Sequence, residues 1–260
     1  MLTFPQIDPV IVQIGPLALR WYGLMYLGGF LFGSFWIGKL APGRGLNLSK
    51  DRLSDLVFYV VLGVILGGRL GYVFFYNLAF FIGHPLKIFA VWEGGMSFHG
   101  GLLGVVVATL LFCQRKKFAV LPMADLLAAA APIGLGLGRI GNFINGELWG
   151  RTTDVPWGMV FPLAGRLPRH PSQLYEMFLE GLVLFVVIWQ LHKHKTASGV
   201  PFFSFFLLYG VFRFTVEFVR EPDIQLGYLW GGATMGQLLS LPMILCGICG
   251  LLWVKKRSQL

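Results

Sequence analysis

The chain alternates between long apolar runs and short polar, mostly basic intervals. Seven runs reach or approach the roughly 20 residues a helix needs to cross a bilayer. They are Trp21–Leu40, Leu53–Tyr76, Ser97–Cys113, Leu121–Gly141, Leu174–Leu191, Val200–Val219 and Ala233–Val254. The third is short, and the fourth is diluted by Ala and Gly. The longest polar interval, Asn142–Gln173, carries Trp149, Trp157, Phe161 and four prolines. A connection of that length is more often functional than merely connective, and its Trp residues suit a headgroup zone. The pattern predicts an all-α, polytopic integral membrane protein with about seven transmembrane helices. It also predicts a single membrane-embedded domain over residues 1–260, with loop 142–173 between the fourth and fifth spans as a small substrate-docking segment.

Composition narrows the picture. Hydrophobic residues make up 56% of the chain and charged residues only 13%. A soluble domain of this size could not bury so much apolar surface, and a disordered chain has the opposite composition. The net charge of +9 first invites nucleic acid as a partner. Placing the 21 basic residues gives another answer. Twelve fall on one side of the predicted spans, in the groups Lys39 to Arg52, Arg115 to Lys117, Lys193 to Lys195 and Lys255 to Arg257. Six, namely Arg20, Lys87, Arg151, Arg166, Arg169 and Arg220, fall on the other. By the positive-inside rule the richer side is cytoplasmic, so the N-terminus and the long loop are outside and the C-terminus is inside. No basic run faces an aromatic platform, so no nucleic-acid partner is expected. With Asp8 and no basic stretch before the first apolar run, no cleaved leader is expected either. Cys113, Cys246 and Cys249 lie in apolar runs and read as helix-packing residues. The lack of an internal repeat weighs against an inverted-repeat transporter.

Three arginines remain, Arg69, Arg139 and Arg213, all inside predicted spans. An intramembrane Arg costs at least about 2.5–3.5 kcal/mol, which makes it a functional candidate by default. At 1.5 Å per residue, Arg213 and Arg69 lie about 9–10 Å inside the outer ends of their spans, and Arg139 about 3 Å. Tyr26 enters to about 9 Å from the same side, and His99 begins its span there. Glu217 follows Arg213 by one helical turn and can hold its guanidinium. Arginines gathered at one depth of the outer leaflet fit a phosphate, whose oxygens a guanidinium meets bidentately, and the phosphates at that depth belong to phospholipids. His99, in Ser-Phe-His-Gly-Gly, is a candidate base at neutral pH; the bland reading of a lone His is a hydrogen-bonded structural residue. Arg69 has three open readings: lipid binding, pairing with a carboxylate, or snorkelling to the interface. Gly136-Leu-Gly138-Arg-Ile-Gly141 matches a dinucleotide-binding fingerprint, but no strand precedes it, so its glycines read as close helix packing. His192 and His194 stand beside lysines without a Cys or carboxylate cluster, so no metal site is expected.

The stretch Gly138-Arg139-Ile-Gly-Asn142-Phe-Ile-Asn145-Gly-Glu147-Leu-Trp149-Gly150-Arg151 closely resembles the bacterial prolipoprotein diacylglyceryl transferases. So do Arg20-Trp-Tyr-Gly-Leu-Met-Tyr26, Gly-Gly-Met-Ser-Phe-His99-Gly-Gly, Arg169-His-Pro-Ser-Gln-Leu-Tyr175-Glu176 and Tyr209-Gly-Val-Phe-Arg213-Phe-Thr-Val-Glu217. The matches run in order from the first span to the sixth. The resemblance implies an inner-membrane enzyme that transfers diacylglyceryl from phosphatidylglycerol to the lipobox cysteine thiol of a prolipoprotein signal peptide. A thioether forms and glycerol phosphate leaves, with no metal or dissociable cofactor. The resemblance further implies that Arg139 and Arg213 bind the lipid and stabilise the departing phosphate, with His99 as base for the thiol. It makes Tyr26, Asn142, Glu147, Gly150, Tyr209 and Glu217 residues needed for binding or activity. The active site would face the outer leaflet.

Overall fold

The computed structural model describes residues 2–15, 17–222 and 228–259. In chain order, β1 (Leu2–Thr3), β2 (Val10–Ile14) and β3 (Leu17–Arg20) precede α1 (Trp21–Leu40). Then come α2 (Lys50–Tyr76), a short α3 (Leu78–Gly83), α4 (Phe98–Lys116) and α5 (Val120–Ile144). After β4 (Met159–Val160) follow α6 (Ser172–Lys193), α7 (Val200–Val216) and α8 (Met235–Arg257). Every apolar run of the sequence is therefore helical, and the mostly helical chain is that of a multi-pass membrane protein. Among the described residues five helices are long and apolar enough to cross a membrane: Trp21–Arg44, α2, α5, α6 and α8; α7 is a shorter apolar helix. The strands are an addition to the all-α expectation. β2 and β3 form an antiparallel hairpin, and β1 pairs in parallel with β4. Segments of two to five residues carry too little alternation to register beside runs of twenty.

The chain divides into two compact units, residues 44–124 and residues 1–43 with 125–260. In the first, α2 and α4 touch through their backbones. Gly63, Gly67 and Gly71, spaced four apart on α2, meet Gly100 and Gly104 on α4. A Cβ on Gly71 would lie 2.7 Å from Gly100 Cα, and one on Gly67 would lie 2.8 Å from Gly104 Cα. In lipid, where apolar burial gives helices no reason to associate, such small-residue stripes allow the close van der Waals contact that does. Ser97 caps α4 by accepting from Gly100 N at 3.1 Å. Near the far end of this helix Lys116 pairs with Asp55 at 2.6 Å.

In the larger unit, Ala129, Leu184, Ile188 and Tyr209 form a buried core, with Trp36, Leu135 and Met243 packed against it. Glycine contacts bring its helices close. Gly136 of α5 faces Gly181 of α6, where a Cβ on Gly181 would lie 2.8 Å from Gly136 Cα. Beside that contact, Met177–Val183 winds as a π-helix between ordinary α turns. Gly210, Gly247 and Gly250 similarly seat α7 against α8. At the opposite end of α5 from Arg139, the buried Asp125 carboxylate accepts from Gly199 N at 2.9 Å and Phe202 N at 3.0 Å, capping α7. The long loop is packed rather than loose. Phe161 is fully buried, with the rings of Phe4 and Trp149 at 5.1 and 6.1 Å.

Candidate active site

The charged side chains of the larger unit gather around Arg139 on α5 and Arg213 on α7. Helix α5 runs on through Asn142, Phe143 and Ile144, past the Gly141 where the apolar run stops. Arg139 therefore sits about 7–8 Å from the helix end rather than about 3 Å. Helix α7 ends at Val216, so Arg213 lies about 4–5 Å from its end. Side chains from these two helices meet on α6. Glu176, fully buried, holds Arg213 through Oε1 and has Arg220 at 3.3 Å on the same oxygen. Its Oε2 lies 2.9 Å from Arg139 Nε. Glu180, four residues on and also fully buried, lies 3.7 Å from Arg139 Nη2. Glu217 pairs with Arg213 from one turn away, as its spacing predicts, and stands 3.9 Å from Arg220. Three guanidiniums and three carboxyl groups thus form one buried cluster.

Arg139 is held differently from its neighbours. Its contacts with Glu176 and Glu180 are contacts of charge: neither Glu176 Oε2 nor either Glu180 oxygen accepts a hydrogen bond from any described residue. Its side chain keeps 16% of its exposure, whereas Glu176 and Glu180 have none. A guanidinium with undirected donors and a partly open face is one that can still accept an oxyanion.

The surrounding residues fix this cluster. Thr234, at the N-cap of α8, donates to Glu217 Oε2 at 2.6 Å and accepts from Gln237 N at 3.2 Å. The neighbouring Gly236 leaves the space that Glu217 occupies, since any Cβ there would overlap its carboxyl. Arg151 donates to the backbone oxygens of Arg220 and Glu217 at 3.0 and 3.2 Å. Gly150 lies where the loop crosses two other segments: its N–H donates to His170 O at 2.8 Å, and a Cβ would lie 2.7 Å from His170 Cβ. Asn142 and Asn145 both donate to Glu147 Oε1, at 2.9 and 3.1 Å, which locks the turn that leaves α5. The Glu147 carbonyl in turn accepts from Gln173 at 2.6 Å. Tyr209 stands one turn before Arg213, buried, its ring stacked on Phe205 at 5.8 Å and within electrostatic reach of Glu180, Arg213 and Arg139. Tyr26 is half-exposed on α1 and shares a 3.1 Å hydroxyl contact with Tyr22, whose ring fills the space beside Gly141. His170 lies 3.2 Å from the Tyr175 hydroxyl, and burial holds its imidazole pKa below the ordinary value.

The larger unit therefore brings together Arg139, Arg213, Glu217 and Tyr209, with Asn142, Glu147 and Gly150 building the adjoining loop. Sequence reasoning missed three members. Arg220 was counted among the outer-side arginines because it follows the last apolar residue of its run, yet it is buried. Glu176 and Glu180 lie inside an apolar run, and an intramembrane acid is as strong a signal as an intramembrane Arg.

Two predicted residues belong to the smaller unit. His99 is in the first turn of α4, and its side chain lies outside what the structure describes. Arg69 is buried, and each of its five donors meets a backbone carbonyl. Nε donates to Ile88 at 2.8 Å; Nη1 donates to Gly94 and, at 3.1 Å, to Gly95; Nη2 donates to Lys87 and, at 3.2 Å, to Ala90. Its guanidinium also lies 5.1 Å from the Phe81 ring. Arg69 thus fastens the irregular segment between α3 and α4 through that segment's backbone carbonyls. The Gly136–Gly141 stretch is helical, so the dinucleotide fingerprint lacks its strand and turn. Among the described residues no three His, Cys, Asp or Glu side chains have metal-binding geometry.

Residues 9–253 match the family model described as prolipoprotein diacylglyceryl transferase. The phosphatidylglycerol–prolipoprotein diacylglyceryl transferase of Geobacter sulfurreducens is 56% identical over 257 residues, 99% of each chain. The enzyme of the same name from Nitratidesulfovibrio vulgaris (Hildenborough) is 57% identical over 250 residues, 95% of each chain. That of Pseudomonas aeruginosa is 56% identical over 263 residues, covering 99% of this chain and 97% of the relative. The buried arginine–glutamate cluster and the residues that frame it thus stand in a chain that belongs to the prolipoprotein diacylglyceryl transferase family.

Proposed function

We propose that this protein transfers the diacylglyceryl group of phosphatidylglycerol to the lipobox cysteine thiol of a prolipoprotein signal peptide. The thiol sulfur bonds to the glyceryl carbon as that carbon's bond to the phosphate oxygen breaks. The thiol proton goes to a base, and glycerol phosphate leaves with the bonding pair. The observation that carries this reading is the gathering of Arg139, Arg213 and Arg220 on one buried carboxylate, with Arg139 still able to direct donors at a ligand. Negative charge grows on the phosphate as its ester bond breaks, and preorganised guanidiniums in a water-poor site stabilise that charge directly. Exclusion of water also protects against hydrolysis, which competes with the thiol.

In this reading Arg139 and Arg213 hold the phosphate and stabilise its departure. Glu217 and Tyr209 orient Arg213, and Asn142, Glu147 and Gly150 shape the entrance beside it. Tyr26 contacts substrate from α1, and His99 takes the thiol proton. The seven apolar helices span a bacterial inner membrane with the N-terminus and loop 142–173 outside and the C-terminus in the cytoplasm. The chain works as one membrane-embedded domain, the loop docks the signal peptide, and the site opens to the outer leaflet.

The test is direct. Purified protein, phosphatidylglycerol and a lipobox peptide are incubated, and the peptide is weighed by mass spectrometry. A diacylglyceryl mass gain that disappears when the peptide Cys is replaced by Ser is the expected result. Arg139→Ala should abolish the gain while the protein remains folded. Full transfer by a folded Arg139→Ala protein would overturn the assignment of Arg139.

A further inference from the structure

Glu180 differs from the other charged groups of the cluster. Glu176 accepts from Arg213 and Arg220, and Glu217 accepts from Thr234 while pairing with Arg213. Glu180 is fully buried, neither oxygen accepts a hydrogen bond from any described residue, and its ion contact is Arg139 at 3.7 Å. The charged and titratable groups acting on it are Glu176 from its own helix, Arg139 from α5, Arg213 and Tyr209 from α7, and Arg220 just beyond α7.

The charges of this cluster balance as long as all six groups are ionised. A bound phosphodiester adds one more negative charge, and an uncompensated charge buried in a membrane protein is costly. Neutralising one carboxyl restores the balance. The carboxyl with least to lose is the one whose ionised form receives no hydrogen bonds. We propose that Glu180 carries a proton while the lipid phosphate occupies the arginine cluster, so that headgroup binding and protonation of Glu180 are linked. Glu180 is ionised in the free enzyme, and one proton enters from solvent with each lipid bound. The inference rests on the reading of the cluster as the phosphate site.

The experiment is infrared spectroscopy of protein labelled with carboxyl-13C glutamate, in nanodiscs of phosphatidylcholine with and without phosphatidylglycerol, and without peptide. Label separates protein carboxyls from lipid esters. In the phosphatidylglycerol-loaded wild type, a label-sensitive band of a protonated carboxyl that shifts in D2O is expected, and Glu180→Gln should lose it. Absence of the band from the loaded wild type, a band of equal strength without phosphatidylglycerol, or its survival in Glu180→Gln overturns the inference. If Glu180→Gln fails to fold, Glu180→Asp serves, because it keeps a carboxyl but carries no label and so must also lose the band. Phosphatidylglycerol retention by Arg139→Gln separates the two ideas. Wild-type retention defeats the phosphate reading itself, whereas weakened retention without a Glu180 band defeats only the proton.

Discussion

Arg69→Lys tests whether an intramembrane arginine here is structural. Arg69 uses all five guanidinium donors on the carbonyls of Lys87, Ile88, Ala90, Gly94 and Gly95. Lysine keeps the charge but has three donors, so at least two carbonyls lose their partner. A buried group left unsatisfied costs about 1–3 kcal/mol, which puts the substitution at about 2–6 kcal/mol. That is a large share of the roughly 5–15 kcal/mol that holds a typical domain together. The loss should also be local, because the acceptors all lie in one irregular segment. The assay is hydrogen–deuterium exchange in nanodiscs, comparing wild type and Arg69→Lys across residues 84–97. Exchange should rise by one or more orders of magnitude in that segment, by about tenfold per 1.4 kcal/mol, and stay near wild type in α5 to α8. Wild-type protection of the segment in Arg69→Lys would refute the reasoning, since charge alone would then suffice. A phosphate-binding Arg69 would show the opposite pattern, with protection intact and lipid binding lost.

Gly104→Ala places a Cβ against the Gly63 backbone and should destabilise the α2–α4 pair by about 1–3 kcal/mol, read as a lower unfolding midpoint in detergent. Thr234→Val removes both the α8 cap and the hydrogen bond to Glu217, and should raise the lipid KM while costing about 2–4 kcal/mol of stability. Thr234→Ser should restore both, and a Ser variant as impaired as Val would speak against the hydroxyl. Burial lowers the His170 pKa in the folded protein, so its contribution to stability is complete above the ordinary imidazole pKa of about 6.5 and is lost as pH falls toward the depressed value. Wild type should therefore lose more stability than His170→Gln on acidification through that window, and equal slopes would contradict the assignment.

Most of the fold was legible because hydrophobic length is a strong, local signal. The first apolar run and α1 share both ends, Trp21 and Leu40. The site was legible in part, because an Arg in an apolar run is conspicuous and Glu217 stands at helical spacing from Arg213. What sequence spacing could not reveal was which charges share a partner. Glu176 joins arginines 37 and 44 residues away, and that depends on how α6 packs. Depth alone did not show what holds Arg69, because the five carbonyls that bind it come from a segment with no periodic signature. It misjudged Arg220, because a residue outside the apolar run can still fold back into the protein.

The π-helical stretch Met177–Val183 sets a phase within α6. Glu176 and Glu180 face the arginines, while Leu184 and Ile188 enter the hydrophobic core. Removing one residue from the stretch while it relaxes to ordinary α geometry would leave the helix beyond it close to its present phase, because the wider π turns carry about one extra residue for the same rotation. The same deletion within the ordinary α turns that follow would swing everything beyond it by about 100°. The π stretch is thus the part of α6 where a change of one residue in length can be absorbed without parting the acids from the core.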